Sequence, residues 1–113
     1  MILRNTSNGN VLAVDVDRAT NAWSRGIGLL GRKTVAAQAG LWIDGCSAVH
    51  TIGMRATLDL FFLDRDQRVL KIASSVGPNR LAVTCRNAVT VVELGACGDD
   101  ARDVLVGDRL ALE

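Results

Sequence analysis

The run Leu58-Asp59-Leu60-Phe61-Phe62-Leu63 constrains this chain more than any other stretch. Leu and Phe fill it, the charged segment Asp64 to Arg68 ends it, and Val69 to Ala73 resumes the apolar character. Short apolar runs separated by a charged loop predict two strands that turn back antiparallel on each other. The same grammar recurs along the chain. Ile2 to Asn5 reads as an edge strand, and Thr6 to Asn10, polar around Gly9, as a hairpin turn. In Val11 to Asp17, Val14 and Val16 fall on one face and Asp15 and Asp17 on the other, the pattern of a half-buried strand. Leu41 to Ile43, Ala48 to Ile52, Val89 to Leu94 and Arg109 to Leu112 add further strands. Asp44-Gly45, Gly53 and Gly77-Pro78-Asn79 punctuate them.

Two segments change period. Ala19, Trp23, Ile27 and Leu30 recur at helical spacing, with Thr20 or Asn21 as the cap and Gly31 as the stop. Asp99 caps a second, shorter segment carrying Ala101, Val104 and Leu105 and ending at Gly107. The expected architecture is therefore mostly β (α+β by strict count). It is an antiparallel sheet curled into a small barrel or sandwich, with one amphipathic helix near the N-terminus and a short helix near the C-terminus. A length of 113 residues suits one domain spanning 1–113, able to bury roughly two thirds of the surface its unfolded chain exposes.

Composition narrows the partners. Thirteen basic residues against twelve acidic ones leave a net charge of +1, so no electrostatic footprint for nucleic acid is present. No apolar stretch is long enough for a membrane span, and no signal peptide opens the chain, so a soluble cytoplasmic protein is expected. The three cysteines, Cys46, Cys85 and Cys97, are odd in number and irregular in spacing, which suits free thiols better than a disulfide framework.

Several of these segments, in this order, resemble the domain of unknown function 192 family. Gly28-Leu29-Leu30-Gly31-Arg32 is similar to its Gly-Leu-x-x-Arg helix end, and Gly40-Leu41-Trp42-Ile43 to the strand that follows. Val49-His50-Thr51-Ile52-Gly53-Met54-Arg55 with Leu58-Asp59-Leu60-Phe61-Phe62-Leu63-Asp64 resembles its signature block. Val92-Glu93-Leu94 and Gly107-Asp108 resemble its closing motifs. The resemblance implies a compact, mostly β fold with a short N-terminal helix, and it implies no activity. Two positions depart from the family pattern. Thr57 stands where proline is usual, and Glu93-Leu94-Gly95-Ala96-Cys97 replaces Glu-Leu-Pro-Ala-Gly.

The signature block gathers the candidate ligand-binding side chains: His50, Thr51, Met54, Arg55 and Asp59, joined by Glu93 and by Arg32 at the Gly-Leu-Leu-Gly-Arg motif. His50, the single histidine, could form an acid/base pair with Asp59, or Arg55 could clamp an anion. The plainer alternative is that Arg55 pairs with Asp59 to order a turn. Asp59 shares a face with Phe61 and Leu63, and Glu93 with Val89 and Val91, so each carboxylate ends an apolar row. Two such acids flanking one pocket could do acid/base work, whereas acids at a strand's rim simply meet water. Cys46-x-x-x-His50 with Cys85 and Cys97 supplies zinc ligand types but lacks a Cys-x-x-Cys knuckle, and no metal or other cofactor is expected. Gly26-Ile27-Gly28-Leu29-Leu30-Gly31 spells a dinucleotide fingerprint, yet it would fall at a helix C-terminus, where carbonyls repel phosphate. The expected function is a non-enzymatic binding module for an unknown small molecule or protein partner. The alternatives are a small enzyme using the 49–59 segment and, third, a zinc or thiol protein.

Overall fold

The computed structural model describes residues 1–19, 34–50, 55–80, 82–98 and 102–113. Among these residues ten strands form, in chain order: β1 (Leu3–Asn5), β2 (Val11–Ala13), β3 (Asp15–Ala19), β4 (Ala39–Asp44), β5 (Ala48–Val49), β6 (Leu58–Leu63), β7 (Val69–Val76), β8 (Val83–Thr84), β9 (Thr90–Gly95) and β10 (Leu110–Leu112). They make three sheets. A five-stranded sheet runs β3-β4-β9-β6-β7, a three-stranded one β10-β1-β2, and a two-stranded ribbon β5-β8.

The run at 58–63 is buried at every position because both faces of the central sheet are covered. Phe61 and Leu63 enter a core with Trp42, Val92 and Leu94 of the same sheet and with Leu3, Leu12, Ala13 and Leu110 of the three-stranded sheet. Leu58, Leu60 and Phe62 point the other way, into a second core with Leu41, Ile43 and Val91, against which Val49 and Val83 of the ribbon pack. A continuous apolar strand is what a doubly covered sheet requires. The first and last strands close the molecule: Leu3 pairs with Leu112, and Ile2 and Glu113 exchange main-chain hydrogen bonds of 2.8 and 2.7 Å.

Three expectations are corrected. The sheets do not close into a barrel, and in place of one antiparallel sheet curled into a barrel or sandwich the central sheet is mixed, because β3 pairs parallel to β4. A parallel pair demands a long crossover, here residues 20–38, and local alternation carries no sign of it. No helix occurs among the described residues. The expected N-terminal helix falls on 20–33, outside the described residues, but Ala19, its first stripe position, is a buried strand residue in β3. Asp99 and Ala101 of the expected C-terminal helix also lie outside them, while Val104, Leu105 and Gly107 belong to an irregular turn. Finally, the strand read over 11–17 breaks at Val14, which is 55% exposed while Val16 is wholly buried, because the chain changes sheets there.

Gly95, at the end of β9, has a steric reason. A Cβ there would lie 2.2 Å from the Val35 carbonyl oxygen and 2.3 Å from that of Ala36, so the incoming crossover lies directly on this strand.

Candidate functional site

Asp59 opens the site. It stands on β6 in the row of Phe61 and Leu63, is 3% exposed, and so requires a partner. The partner is Arg102, itself nearly buried, with side chains exposed to only 9% and 4% for Arg102 and Asp59. One guanidinium nitrogen of Arg102 donates to Asp59 Oδ2. The other donates to the Ala37 carbonyl and, at 2.8 Å, to the Gly95 carbonyl. Arg102 therefore ties the crossover, the end of β9 and its own loop to the middle of the sheet. The second oxygen of Asp59 accepts from the Ser75 amide at 2.9 Å.

That last bond marks a bulge. Leu58 pairs with Val76 and Leu60 with Ala73, so both Ser74 and Ser75 oppose Asp59, and Ser75 adopts a positive φ of 53°. The Asp59 carboxylate takes the amide that the ladder leaves over. Bulges re-aim side chains at strand edges, and here Ser74 turns into the space above Asp59. The Cys97 thiol lies 3.9 Å from Asp59 Oδ2 and completes the cluster.

Over this cluster lies a cleft of about 370 Å³. Asp59, Arg102, Ser74 and Gly98 give its polar floor, while Phe61, Ile72 and Val104 to Val106 give its walls. Leu105 and Val106 stand 70% and 64% exposed at the rim. The rim turn is held from below. The Asp108 carboxylate accepts from the Leu105 amide and from Asn5 Nδ2, both at 2.9 Å, and these bonds lower its pKa. Asn5, buried in β1, also donates to the Asp103 carbonyl at 3.0 Å. A second cleft, of about 420 Å³, lies beyond Arg102 and is lined by Asn10, Val11, Gln38, Cys97 and Asp103 among others. Arg102 lines both clefts.

The other candidates lie elsewhere. Glu93 is paired in register with Leu41 and Leu60, both in the second core, so it occupies the face opposite Asp59 and the two acids do not share a pocket. Burial alone pushes the Glu93 carboxyl up to about 7. His50 is exposed at the end of the β5–β8 ribbon, which also covers that opposite face. Arg55 is exposed ahead of β6, and Arg102, not Arg55, is the partner of Asp59. Thr51, Met54 and Arg32 lie outside the described residues, as does the glycine-rich 26–31 motif. The zinc-type residues are not gathered: Cys46 and Cys85 border the second core while Cys97 sits with Asp59. All three thiols are free, and no metal-ligating cluster occurs among the described residues. Sequence reasoning missed Arg102. The one available signal was the demand of Asp59 for a cation, and that demand does not say which arginine answers it.

The domain of unknown function 192 family, described as "Uncharacterized ACR", matches residues 3–112. The chain belongs to this family. The domain of unknown function 192 family has no assigned function, which agrees with the absence of an activity in the resemblance. Two solved structures share the fold. A protein of Sinorhizobium meliloti 1021 described as a "putative transcription regulator" is 25% identical, with a TM-score of 0.81 over 97% of this chain and 89% of that one. A protein of unknown function from Novosphingobium aromaticivorans DSM 12444 is 20% identical, with a TM-score of 0.80 over 98% of this chain and 82% of that one. No curated protein matches the chain. No helix among the described residues is long and apolar enough to cross a membrane.

Proposed function

We propose that this member of the domain of unknown function 192 family is a non-enzymatic binding module whose occupant sits in the cleft above Asp59 and Arg102. One observation carries the reading: an open, apolar-walled cleft of about 370 Å³ whose two floor charges, Asp59 and Arg102, pair with each other. Asp59 engages both oxygens with Arg102 and Ser75, and Arg102 commits three N–H donors to Asp59 and two carbonyls. Such a floor holds shape rather than moving protons, since a general acid or base must reach its substrate. The exposed Leu105 and Val106 then favour an apolar group from a small ligand or a protein partner.

The test is a thermal-shift screen of apolar fragments on the wild-type protein and on Val106→Asp, a rim change that disturbs no buried contact. A ligand present at a hundred times its dissociation constant adds about 2.7 kcal/mol. Hits are expected to raise the melting temperature of the wild type by several degrees, shift the methyl resonances of Ile72 and Val104, and lose their effect on Val106→Asp. Hits that stabilise both proteins equally, or a screen without hits, would sink the reading.

A further inference from the structure

The cleft is bordered by Ile72 and Ser74 of β7, the last strand of the five-stranded sheet. The start of that edge is already paired. Arg68 bridges Arg109, the Val69 amide donates to the Asp108 carbonyl at 2.8 Å, and the Gly107 amide donates to the Val69 carbonyl at 2.8 Å. A turn then lifts the chain away, with the Asp108 amide bonded to the Leu105 carbonyl at 3.0 Å. From Lys71 to Ser74, no strand among the described residues continues the pairing.

The ladder fixes which groups face outward. The Leu63 carbonyl turns to Val89, on the β9 side of β6. Antiparallel pairs alternate, so Phe61, two residues back, also turns its main chain to β9. Ile72, opposite Phe61, is therefore left with its amide and carbonyl directed away from β6. Edge strands are commonly shielded by a lysine. Lys71 does not serve: its ammonium is folded back onto the Thr84 carbonyl at 2.8 Å and over the Phe62 ring at 5.7 Å.

We propose that β7 accepts an extended peptide segment of a partner protein as an added strand along Lys71 to Ser74. It continues the pairing that 107–109 begins and drops one apolar side chain into the cleft between Ile72 and Val106. Main-chain bonds to Ile72 supply register, and the cleft reads the side chain, the division of labour of strand addition. This inference rests on the cleft being the binding site and names the class of occupant.

Seven-residue random peptides displayed on phage would be selected on the wild-type protein and counter-selected on Ile72→Pro, which removes the outward amide. A synthetic copy of the selected peptide would then be N-methylated at every second residue, in two alternating sets. One set is expected to weaken binding by about tenfold or more, the loss of one or two hydrogen bonds, and the other to leave it unchanged. Should Ile72→Pro fail to fold, the two methylated sets on the wild-type protein decide alone. Equal affinity of both sets, no peptide preferring the wild type, or an Ile72-dependent dimer of the protein itself would overturn the added strand. Fragment shifts that vanish on Val106→Asp would survive that result and keep the cleft as a binding site.

Discussion

Arg102 and Asp59 bury a full charge pair beneath an apolar row, and such pairs stand only while both members are present. Arg102→Ala leaves the carboxylate uncompensated and is expected to cost about 3–5 kcal/mol, read from urea unfolding at constant slope. Replacing both, Asp59→Leu with Arg102→Met, should recover most of that loss. A double variant as weak as the single one would mean that the carbonyl bonds of Arg102, not the ion pair, hold the loop. Glu93 behaves oppositely. Burial raises its carboxyl from 4.5 to about 7, so the folded protein holds a proton that the unfolded chain releases. Stability should then be unpenalised below about 4.5, decline as pH climbs toward 7, and level off above it, whereas Glu93→Gln should lack this slope. Unfolding free energies between pH 4 and 8 that match in the two proteins would rule the assignment out. At this scale the sequence was half legible. Asp59 among Phe61 and Leu63 announced a buried acid, but alternation within β9 could not place Glu93 on the other face, because that depends on the register between strands.

At the scale of elements, the glycine that interrupts the usual family pattern at 95 has a function of packing. It lets the carbonyls of Val35 and Ala36 sit on β9, within 2.3 Å of where a methyl would project. Gly95→Ala must push the crossover off the strand, and overpacking of this kind costs about 1–3 kcal/mol. The displacement would also loosen the Ala37 carbonyl from Arg102, so Gly95→Ala and Arg102→Ala should be less than additive. Additive losses in a double-mutant cycle would separate the two contacts. The strands β4, β6, β7 and β9 were readable from short apolar runs and their turns, since burial dictates them locally. The parallel pairing of β3 with β4 was not, because it joins strands far apart in sequence and neither strand's own pattern encodes its partner's direction. Ala19 shows the same failure in one residue, since a spacing of four fits a helix stripe as well as a chance recurrence in a strand.

The central sheet of the described residues has a different core on each face, and the two clefts that Arg102 lines lie on the face of Asp59 and Phe61. That face is closed by strands from both ends of the chain, so Leu3 and Leu110 meet the same core as Phe61 and Leu94. No local pattern reveals such a pairing, which joins positions as far apart as Leu3 and Leu112. Its expected thermodynamic consequence is cooperativity, because the three-stranded sheet buries its apolar face against the central one in a shared core. Leu110 is fully buried, and Leu110→Ala should cost about 2–5 kcal/mol for the lost contacts and the cavity. That loss should fall on the entire protein, in a single unfolding transition seen alike by far-ultraviolet dichroism and by tryptophan fluorescence. Amides of β1 and β6 should lose equal protection from hydrogen exchange. If β1 and β10 instead detach first, leaving β6 protected, the three-stranded sheet is a separate unit, and the rim that Asn5 holds at Asp103 and Asp108 would move with it.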